Sequence, residues 1–484
     1  MPVDCRTCAG RPTATDESPV AVVSASDAAV ASRFALAHDI AEAVTDRSPS
    51  ARPRLQLAVD RVVTSRWLGL PFMVLLLGVV LWLTIAGANV PSGMLAAVLI
   101  EDGGLGVWLN ENLGWATDKG VLAASLHELL DRLAETLRLP WWLAGFLIDG
   151  VYLGLGWVVA VMLPPMAIFF PLFTLLEDLG LLPRLAFNMD RFFRAAGGHG
   201  KQALTMAMGF GCNAAGVIAC RIIDSPRERL IAILTNTFVP CNGRWPTLIM
   251  MASLMIATSL PTGWSTLIAV ATVTGVTVLG VVVTLVVSGL LSRTVLEGMA
   301  SSFVIELPPY RPPQLRRILV TSIIDRTLFV LKRAVICAAP AGGLIWLLGA
   351  ISVGDGSLFA WLAAVLDPLG GALGLDGVIL IAFLVAIPAN EIVVPTMIMG
   401  YLHVSRMTEI ADPSALFFDN GWSLLTVVCV MLFSLLHYPC TTTTLTIFAE
   451  TRSVKWTVVS NLLPLAIAVG VCAAVSGVWR LLGG

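Results

Sequence analysis

Long apolar runs alternate with short polar stretches along most of this chain. A helix needs about 20 apolar residues to cross roughly 30 Å of hydrocarbon. Runs of that length, some of them broken, lie at 69–87, 151–174, 228–258, 263–292, 334–353, 376–402, 417–436 and 456–479. The pattern predicts an all-α polytopic membrane protein with roughly eight transmembrane helices.

Polar residues interrupt the apolar sequence at two places in each half. The interruptions are 209–213 and 240–244, then 387–391 and 438–444. Lipid offers no partner to free N–H and C=O groups, so broken backbone at this depth must be buried in protein or line a polar cavity. Interrupted segments in matching positions are typical of a transporter's substrate site. We therefore expect two gate-type repeats with broken or re-entrant helices.

The distribution of charge predicts how the chain is oriented. Only 13% of residues are charged against 57% hydrophobic, with a mean hydropathy of +0.85. Arginines between 52 and 66 precede the first span and an acidic, amphipathic stretch at 105–140 follows it. The positive-inside rule then puts the N-terminus in the cytoplasm. The apolar composition indicates a multi-pass protein of inner-membrane type, and residues 1–50 carry no signal peptide.

The first two interruptions each place a cysteine next to an asparagine, as Cys212-Asn213 and Cys241-Asn242. These cysteines are either core residues in small-residue helix packing or ligands. Thiolate, amide oxygen and freed carbonyls together suit a divalent first-row cation. We favour the second interpretation and predict a metal site that includes Cys212, Asn213 and Cys241.

The second pair of interruptions carries Glu391 and Cys440. A carboxylate among apolar residues is costly in hydrocarbon and is a functional hypothesis by default; the alternative is that Glu391 pairs with a neighbouring backbone group or an arginine. Cys440 adds a thiol, next to threonines that serve equally well in helix packing. Both residues are assigned to the predicted metal site.

Further polar residues lie outside the interruptions. Glu177, Asp178 and Asp190 occur among arginines near the inner surface, where they form either a solvated interfacial helix or part of a gate or ion exit. His199 is predicted to be a loop residue. Cys5 and Cys8 supply half of a zinc site without a second pair, and their role stays open.

The sequence contains no complete catalytic or nucleotide-binding motif. Gly200-Lys201 is similar to a phosphate loop only superficially, because Gln202 replaces the required Ser or Thr. We predict that the chain is not an enzyme and holds no permanently bound cofactor, the metal being transported cargo.

Five motifs in one order resemble those of the ferrous iron transport protein B family. They are 176–191, 209–213, 227–241, 306–311, and 391–394 together with 439–441. The resemblance runs from about residue 32 to the C-terminus, the membrane portion, without the GTP-binding domain with which the family ordinarily begins. It implies Fe(II) import across a bacterial inner membrane, with Cys212, Cys241 and Glu391 on the route.

The chain also departs from the family's pattern. Ala214 and Ala215 follow Asn213, where the family usually has valine and proline, and Asn242-Gly243-Arg244-Trp245 follows Cys241. These changes bear on gating and on the ion's identity. The GTPase is expected either as a separate polypeptide or not at all. Predicted partners are the lipid bilayer and that GTP-binding protein; a homo-oligomer stays open, and no nucleic acid is expected.

These observations predict four regions and one leading function. The regions are a cytoplasmic tail with a short helical segment at 1–66, a first membrane half with gate 1 at 67–299, a cytoplasmic connector at 300–333, and a second membrane half with gate 2 at 334–484. The leading function is a divalent metal-ion permease for Fe(II), assisted by a separate GTPase. The alternatives are a permease for a nucleoside or other small organic solute, and a non-transporting membrane partner of a GTPase.

Overall fold

The structure is a computed structural model that describes residues 60–65, 68–101, 104–113, 124–259, 265–296, 313–354, 356–408, 410 and 413–483, with a few positions between 32 and 40. By its internal contacts the chain divides into two units, Met1–Val59 and Asp60–Gly484. Cys5, Cys8, most of segment 1–66 and the connector residues 297–312 lie outside the described residues. The predicted region boundaries stay predictions.

Helices form most of the described structure, and the first half contains short helices between long ones. They are α1 Gly69–Leu99, α2 Gly104–Leu113, α3 Leu126–Thr136, α4 Trp141–Ala144, the π-helical segment Gly145–Tyr152, α5 Leu153–Asp178, α6 Leu181–Ala195, α7 Gln202–Gly211, α8 Asn213–Ala219, α9 Pro226–Thr235, α10 Trp245–Ser259 and α11 Ser265–Thr294. Short 3-10 turns lie at Cys220–Ile222, Asn236–Phe238 and Asn242–Arg244.

The second half has the same mixture of short and long helices. They are α12 Leu315–Val320, the π-helical segment Thr321–Leu328, α13 Phe329–Ala350, α14 Leu358–Leu373, α15 Gly377–Val385, α16 Val393–Leu402, α17 Ser414–Asp419, α18 Leu424–Leu436, α19 Thr441–Thr451 and α20 Val454–Leu481, with a 3-10 turn at Asn390–Ile392. Strands β1 Ser352–Val353 and β2 Gly356–Ser357 form one antiparallel pair. The predicted all-α polytopic fold is confirmed.

Six helical segments among the described residues are long and apolar enough to cross a membrane. They are Val74–Leu99, Trp141–Asp178, Ala271–Thr294, Val330–Ala350, Leu424–Thr451 and Val454–Leu481. The pair α14 and α15, bent by 106°, makes a seventh if it is one broken span. The prediction was roughly eight. The difference arises at two predicted spans. At 228–258 the backbone is divided between α9, two 3-10 turns and α10, and at 376–402 it is divided between α15 and α16, so that no piece is long enough alone and α15 pairs with α14 instead.

The six segments fall into an outer and an inner set. Only 20–22% of the most apolar window is buried within the protein in Val74–Leu99, Ala271–Thr294 and Val454–Leu481, against 50–61% in the other three. The outer set therefore exposes apolar side chains such as Trp82, Val282 and Leu462, as lipid-facing helices do. The inner segments pack around the short helices that carry the interruptions.

Local chemistry explains where several helices begin. The hydroxyl of Ser225 accepts from the N–H of Glu228 at 3.5 Å and Pro226 occupies the first helical position, both of which favour a helix start. The side chain of Asp376 caps α15 by accepting from the N–H of Ile379 at 2.7 Å.

Tertiary packing brings the two halves together where α5 crosses α13. A Cβ atom added to Gly154 would lie 2.9 Å from the Cα of Gly342, and only small residues permit so close a crossing.

Candidate functional site

At each predicted interruption the helix breaks at an extended residue, after which a new helix or 3-10 turn begins. Cys212, with φ −155° and ψ 122°, separates α7 from α8, and Cys241, with φ −89° and ψ 172°, precedes Asn242–Arg244 and α10. Ala389, with φ −151° and ψ 116°, precedes Asn390–Ile392 and α16, and Cys440, with φ −63° and ψ 160°, precedes α19. We name these breaks 1 to 4. Each presents a helix N-terminus, which carries partial positive charge and unpaired N–H groups.

Three of the breaks place a cysteine sulfur at that N-terminus. Interactions with backbone N–H groups come from Ala214 and Ala215 for Cys212, from Gly243 and Arg244 for Cys241, and from Thr443 for Cys440. The Thr443 hydroxyl also lies 3.3 Å from the Cys440 sulfur. A thiol loses its proton when it binds a metal, and a helix N-terminus favours the resulting negative charge.

The breaks of the two halves meet in the interior. The Glu391 carboxyl lies against Gly243 of break 2, since a Cβ on that glycine would be 2.7 Å from Cδ of Glu391. Cys212, Cys241 and Cys440 interact electrostatically with one another, and the last two also with Glu391. Cys212 and Cys241 are 8% exposed and Glu391 is 9% exposed. The three cysteines and the glutamate that the sequence analysis predicted for the metal site are therefore neighbours in the structure.

Asn213 joins break 1 to the segment that leads into break 2. In the amide orientation that satisfies both side-chain atoms, its nitrogen donates to the carbonyls of Gly209 and Val239 at 3.2 Å each. In the other direction, the amide nitrogen of Asn236 donates to the Asn213 carbonyl at 3.0 Å. These bonds tie the end of α7, the start of α8 and the segment before break 2 to one another. Asn213 therefore stabilises the break, and its role as a metal ligand stays a prediction.

Arg244 connects break 2 to break 4. Its guanidinium, 1% exposed, donates from Nη1 to the carbonyls of Thr237 at 2.7 Å and Leu435 at 2.8 Å, and from Nη2 to those of His437 at 3.0 Å and Tyr438 at 3.1 Å. All four acceptors are backbone oxygens, three of them at the C-terminal end of α18, where the helix dipole favours a cation. In the sequence Arg244 stands out only as a departure from the family pattern; its position at membrane depth is the signal that points to a role.

Breaks 3 and 4 are joined by a second set of bonds. The N–H of Thr441 donates to the carbonyl of Ile387 at 2.9 Å, and the Tyr438 hydroxyl donates to the carbonyl of Phe383 at 2.6 Å. Nε2 of His437 lies 3.4 Å from Oδ1 of Asn390. Sequence reasoning missed both His437 and Asn390, although a histidine three residues before Cys440 in an apolar segment was a usable signal.

The site is closed and tight in this conformation. Across the described part of the chain, no three His, Cys, Asp or Glu side chains come close enough to hold a metal ion. A cavity of about 10 Å³ beside breaks 1 and 2 is lined in part by Phe169, Phe210, Asn242 and Trp245. That volume is close to the minimum for one water molecule. The predicted ligands are therefore neighbours that do not surround an ion.

The acidic residues predicted for gating or ion exit lie apart along the chain. Glu177 is exposed and Asp178 half-buried at the end of α5. Asp190 pairs with Arg194 one helical turn further along α6 and packs against Gly200. Their role in ion exit stays a prediction, and Asp190 contacts the loop that precedes α7 at Gly200.

Fold and site together define a polytopic helical membrane protein built from two gate-type halves. The family described as "Gate: Nucleoside recognition" matches residues 159–255 and 331–454, and "Ferrous iron transport protein B C terminus" matches 273–325. The two blocks of the first match contain breaks 1 and 2 and breaks 3 and 4, respectively. Both matches and the curated relatives thus make the chain similar to the membrane portion of the ferrous iron transport protein B family.

Two curated relatives show the same similarity. The chain is 26% identical over 421 residues to the Fe(2+) transporter FeoB of Staphylococcus aureus (strain MSSA476), covering 85% of this chain and 57% of the relative. It is 29% identical over 283 residues to the protein of the same name from Salmonella typhimurium (strain LT2), covering 58% and 32%. The matched part of the chain thus spans little more than half the length of the first relative and about a third of the second. No solved structure matches.

Proposed function

We propose that this chain is a divalent metal-ion permease of the bacterial inner membrane, with Fe(II) as its substrate. The observation that carries the proposal is the meeting of Cys212, Cys241, Cys440 and Glu391 at breaks contributed by both halves. Broken backbone inside protein at membrane depth is where transporters bind their substrates. The four side chains are the ligands along the route.

The chemistry of these ligands favours a first-row divalent cation. Thiolate sulfur is soft and carboxylate oxygen is hard, so a mixed set suits an ion of borderline softness. A transport site must also release its ion, which requires binding that is neither too tight nor confined to one closed site. Ligands divided among separate short helices meet that requirement, because small movements of the halves change which of them reach the ion.

The names of the relatives support iron as the substrate, since the Staphylococcus aureus and Salmonella typhimurium proteins are called Fe(2+) transporters.

We further propose an orientation and a partner. The charge distribution supports a cytoplasmic N-terminus, and the family resemblance supports a separately encoded GTP-binding protein that assists uptake. Co-purification of a small GTPase, and a change in uptake on adding GTP, are the expected results. A metal flux that is identical with and without GTP and any bound partner would contradict the second point.

The direct test is Fe(II) influx into proteoliposomes that contain the purified chain and a metal-sensitive dye. Cys212→Ser and Cys241→Ser should each lower the initial rate by about tenfold, equivalent to about 1.4 kcal/mol in the barrier. Cys472→Ser is the matched control, because that buried cysteine lies on α20, outside the four breaks, and its sulfur donates to the carbonyl of Cys429 at 3.6 Å. Full uptake by the double variant would refute the ligand role of the thiols.

One observation favours a second candidate, a permease for a nucleoside or similar solute, namely the description of the matched Gate family. Competition by nucleosides for Fe(II) influx would support the solute function, and unaffected influx would exclude it. Flux through the purified chain alone would likewise exclude a non-transporting partner.

A further inference from the structure

Two buried amide oxygens, one beside break 1 and one at the start of α7, have no hydrogen-bond partner. They are Oε1 of Gln202 and Oδ1 of Asn236, on side chains that are each 1% exposed. The nitrogens of both amides are used: Gln202 donates to the hydroxyls of Thr235 at 2.9 Å and Ser288 at 3.2 Å, and Asn236 donates to the carbonyl of Asn213. Only the acceptors are left unpaired, which costs stability in a buried site.

The two oxygens lie at opposite ends of a run of neighbouring polar groups. A Cβ on Gly216 would lie 2.7 Å from Oδ1 of Asn236 and 2.9 Å from the carbonyl oxygen of Thr205. The Thr205 hydroxyl in turn donates to the carbonyl of Gln202 at 2.9 Å. A Cβ on Gly198 would lie 2.5 Å from Oε1 of Gln202. The run therefore extends from break 1, through α7 and α9, to the loop 197–201.

The far end of the run carries further groups that can bind a cation. His199 interacts electrostatically with Glu228 and Asp190, and its Nδ1 accepts from the N–H of Lys201 at 3.0 Å. Burial lowers the pKa of His199, which favours the neutral ring. Lys201 pairs at the surface with Asp224 at 2.7 Å. Polar atoms thus connect the interior break to a charged loop.

Both unpaired atoms are neutral oxygen acceptors, and that favours a cation. Neutral carbonyl oxygens replace the water shell of a passing ion in selective pores without holding it as a fixed charge would. An anion would find no free donor at these two positions. We propose that the Asn236 and Gln202 amide oxygens are transient ligands for the transported cation between break 1 and the loop 197–201. This inference rests on the proposed function.

The test is Fe(II) influx into proteoliposomes by Gln202→Met, which preserves side-chain length and removes the oxygen. We expect an initial rate about tenfold below that of the unmodified chain, with the amount of Fe(II) bound per purified chain unchanged. Ser476→Ala is the control, because Ser476 carries another unpaired buried oxygen, on α20 and outside this run. Its influx should equal that of the unmodified chain.

A second variant, Gln202→Glu, keeps an acceptor at the same place and adds charge. It should retain one additional Fe(II) per chain after gel filtration. If Gln202→Met does not fold, this binding measurement tests whether the cation reaches Gln202. Influx by Gln202→Met at the unmodified rate, or unchanged binding by Gln202→Glu, would overturn the route. Absence of influx in the unmodified chain would instead refute the proposed function.

Discussion

The carboxyl group of Glu391, from the second half of the chain, lies against the backbone of Gly243, from the first half. A Cβ on Gly243 would come within 2.7 Å of Cδ of Glu391 and closer still to one of its oxygens. Real Cβ atoms do not approach that closely, so glycine at this position is what allows the acid to reach break 2. The two gates therefore share one polar centre and do not form separate sites.

Gly243→Ala should displace the Glu391 carboxyl and lower Fe(II) influx by about tenfold. The reason is steric, because the added methyl group takes the space of the carboxylate. Gly470→Ala on α20 is the matched control, since nothing lies within 4 Å of its Cβ position. Influx of Gly243→Ala at the control rate would show that the contact does not matter for transport.

Glu391→Gln should weaken equilibrium Fe(II) binding to the purified chain by at least about tenfold without lowering thermal stability. The amide has nearly the same shape, and a neutral group costs less to bury than a charge. Glu450→Gln, which removes the acidic partner of Arg221 at the surface, serves as the control. Unchanged binding in Glu391→Gln would remove Glu391 from the ligand set.

Arg244→Met should lower the free energy of unfolding by at least about 3 kcal/mol, because four carbonyls lose their donor and an unpaired buried group costs about 1–3 kcal/mol. Arg244→Lys should recover part of the loss. Thermal or denaturant unfolding in detergent measures both.

Arg221→Met is the comparison for this loss, since its pair with Glu450 is 67% exposed on the arginine side and exposed pairs contribute less than about 1 kcal/mol. Equal losses in the Arg244→Met and Arg221→Met variants would contradict the role of Arg244 in joining breaks 2 and 4.

Stability should fall as the pH rises through the neutral range, because of His127 on α3. Its Nε2 lies 3.2 Å from Asp149 and its Nδ1 lies 3.5 Å from Asp131. The hydrogen bond with Asp149 raises the pKa of His127, with burial opposing it. The folded-state pKa thus exceeds the unfolded value of about 6.5, so the stabilisation is complete below that pH and is lost as the pH rises through the folded-state pKa.

Melting temperatures at a series of pH values measure this effect. His127→Asn should flatten the dependence on pH. A steep dependence that persists in His127→Asn would assign the effect to another group.

Much of the candidate site could be predicted from the sequence. Prolines, glycines and cysteines in apolar surroundings located all four breaks, and the cost of an acid in hydrocarbon singled out Glu391. The contribution of Asn213 to stabilising break 1 was not predictable, because its partners Gly209 and Val239 meet it only when the short helices pack. Gln202 and Asn236 were missed for the same reason: an amide in an apolar run carries no sign of whether its oxygen is paired.

The sequence by itself was sufficient to predict that the protein lies in a lipid bilayer, where its helices run and where they break. This is because hydrocarbon thickness and backbone hydrogen bonding act on each segment separately. Only the tertiary structure decided which broken ends face each other. Arg244 reaches carbonyls more than 190 residues away, at Leu435, His437 and Tyr438, and such contacts depend on how the halves pack. The pairing of the gates, and with it the ion route proposed here, follows from that packing.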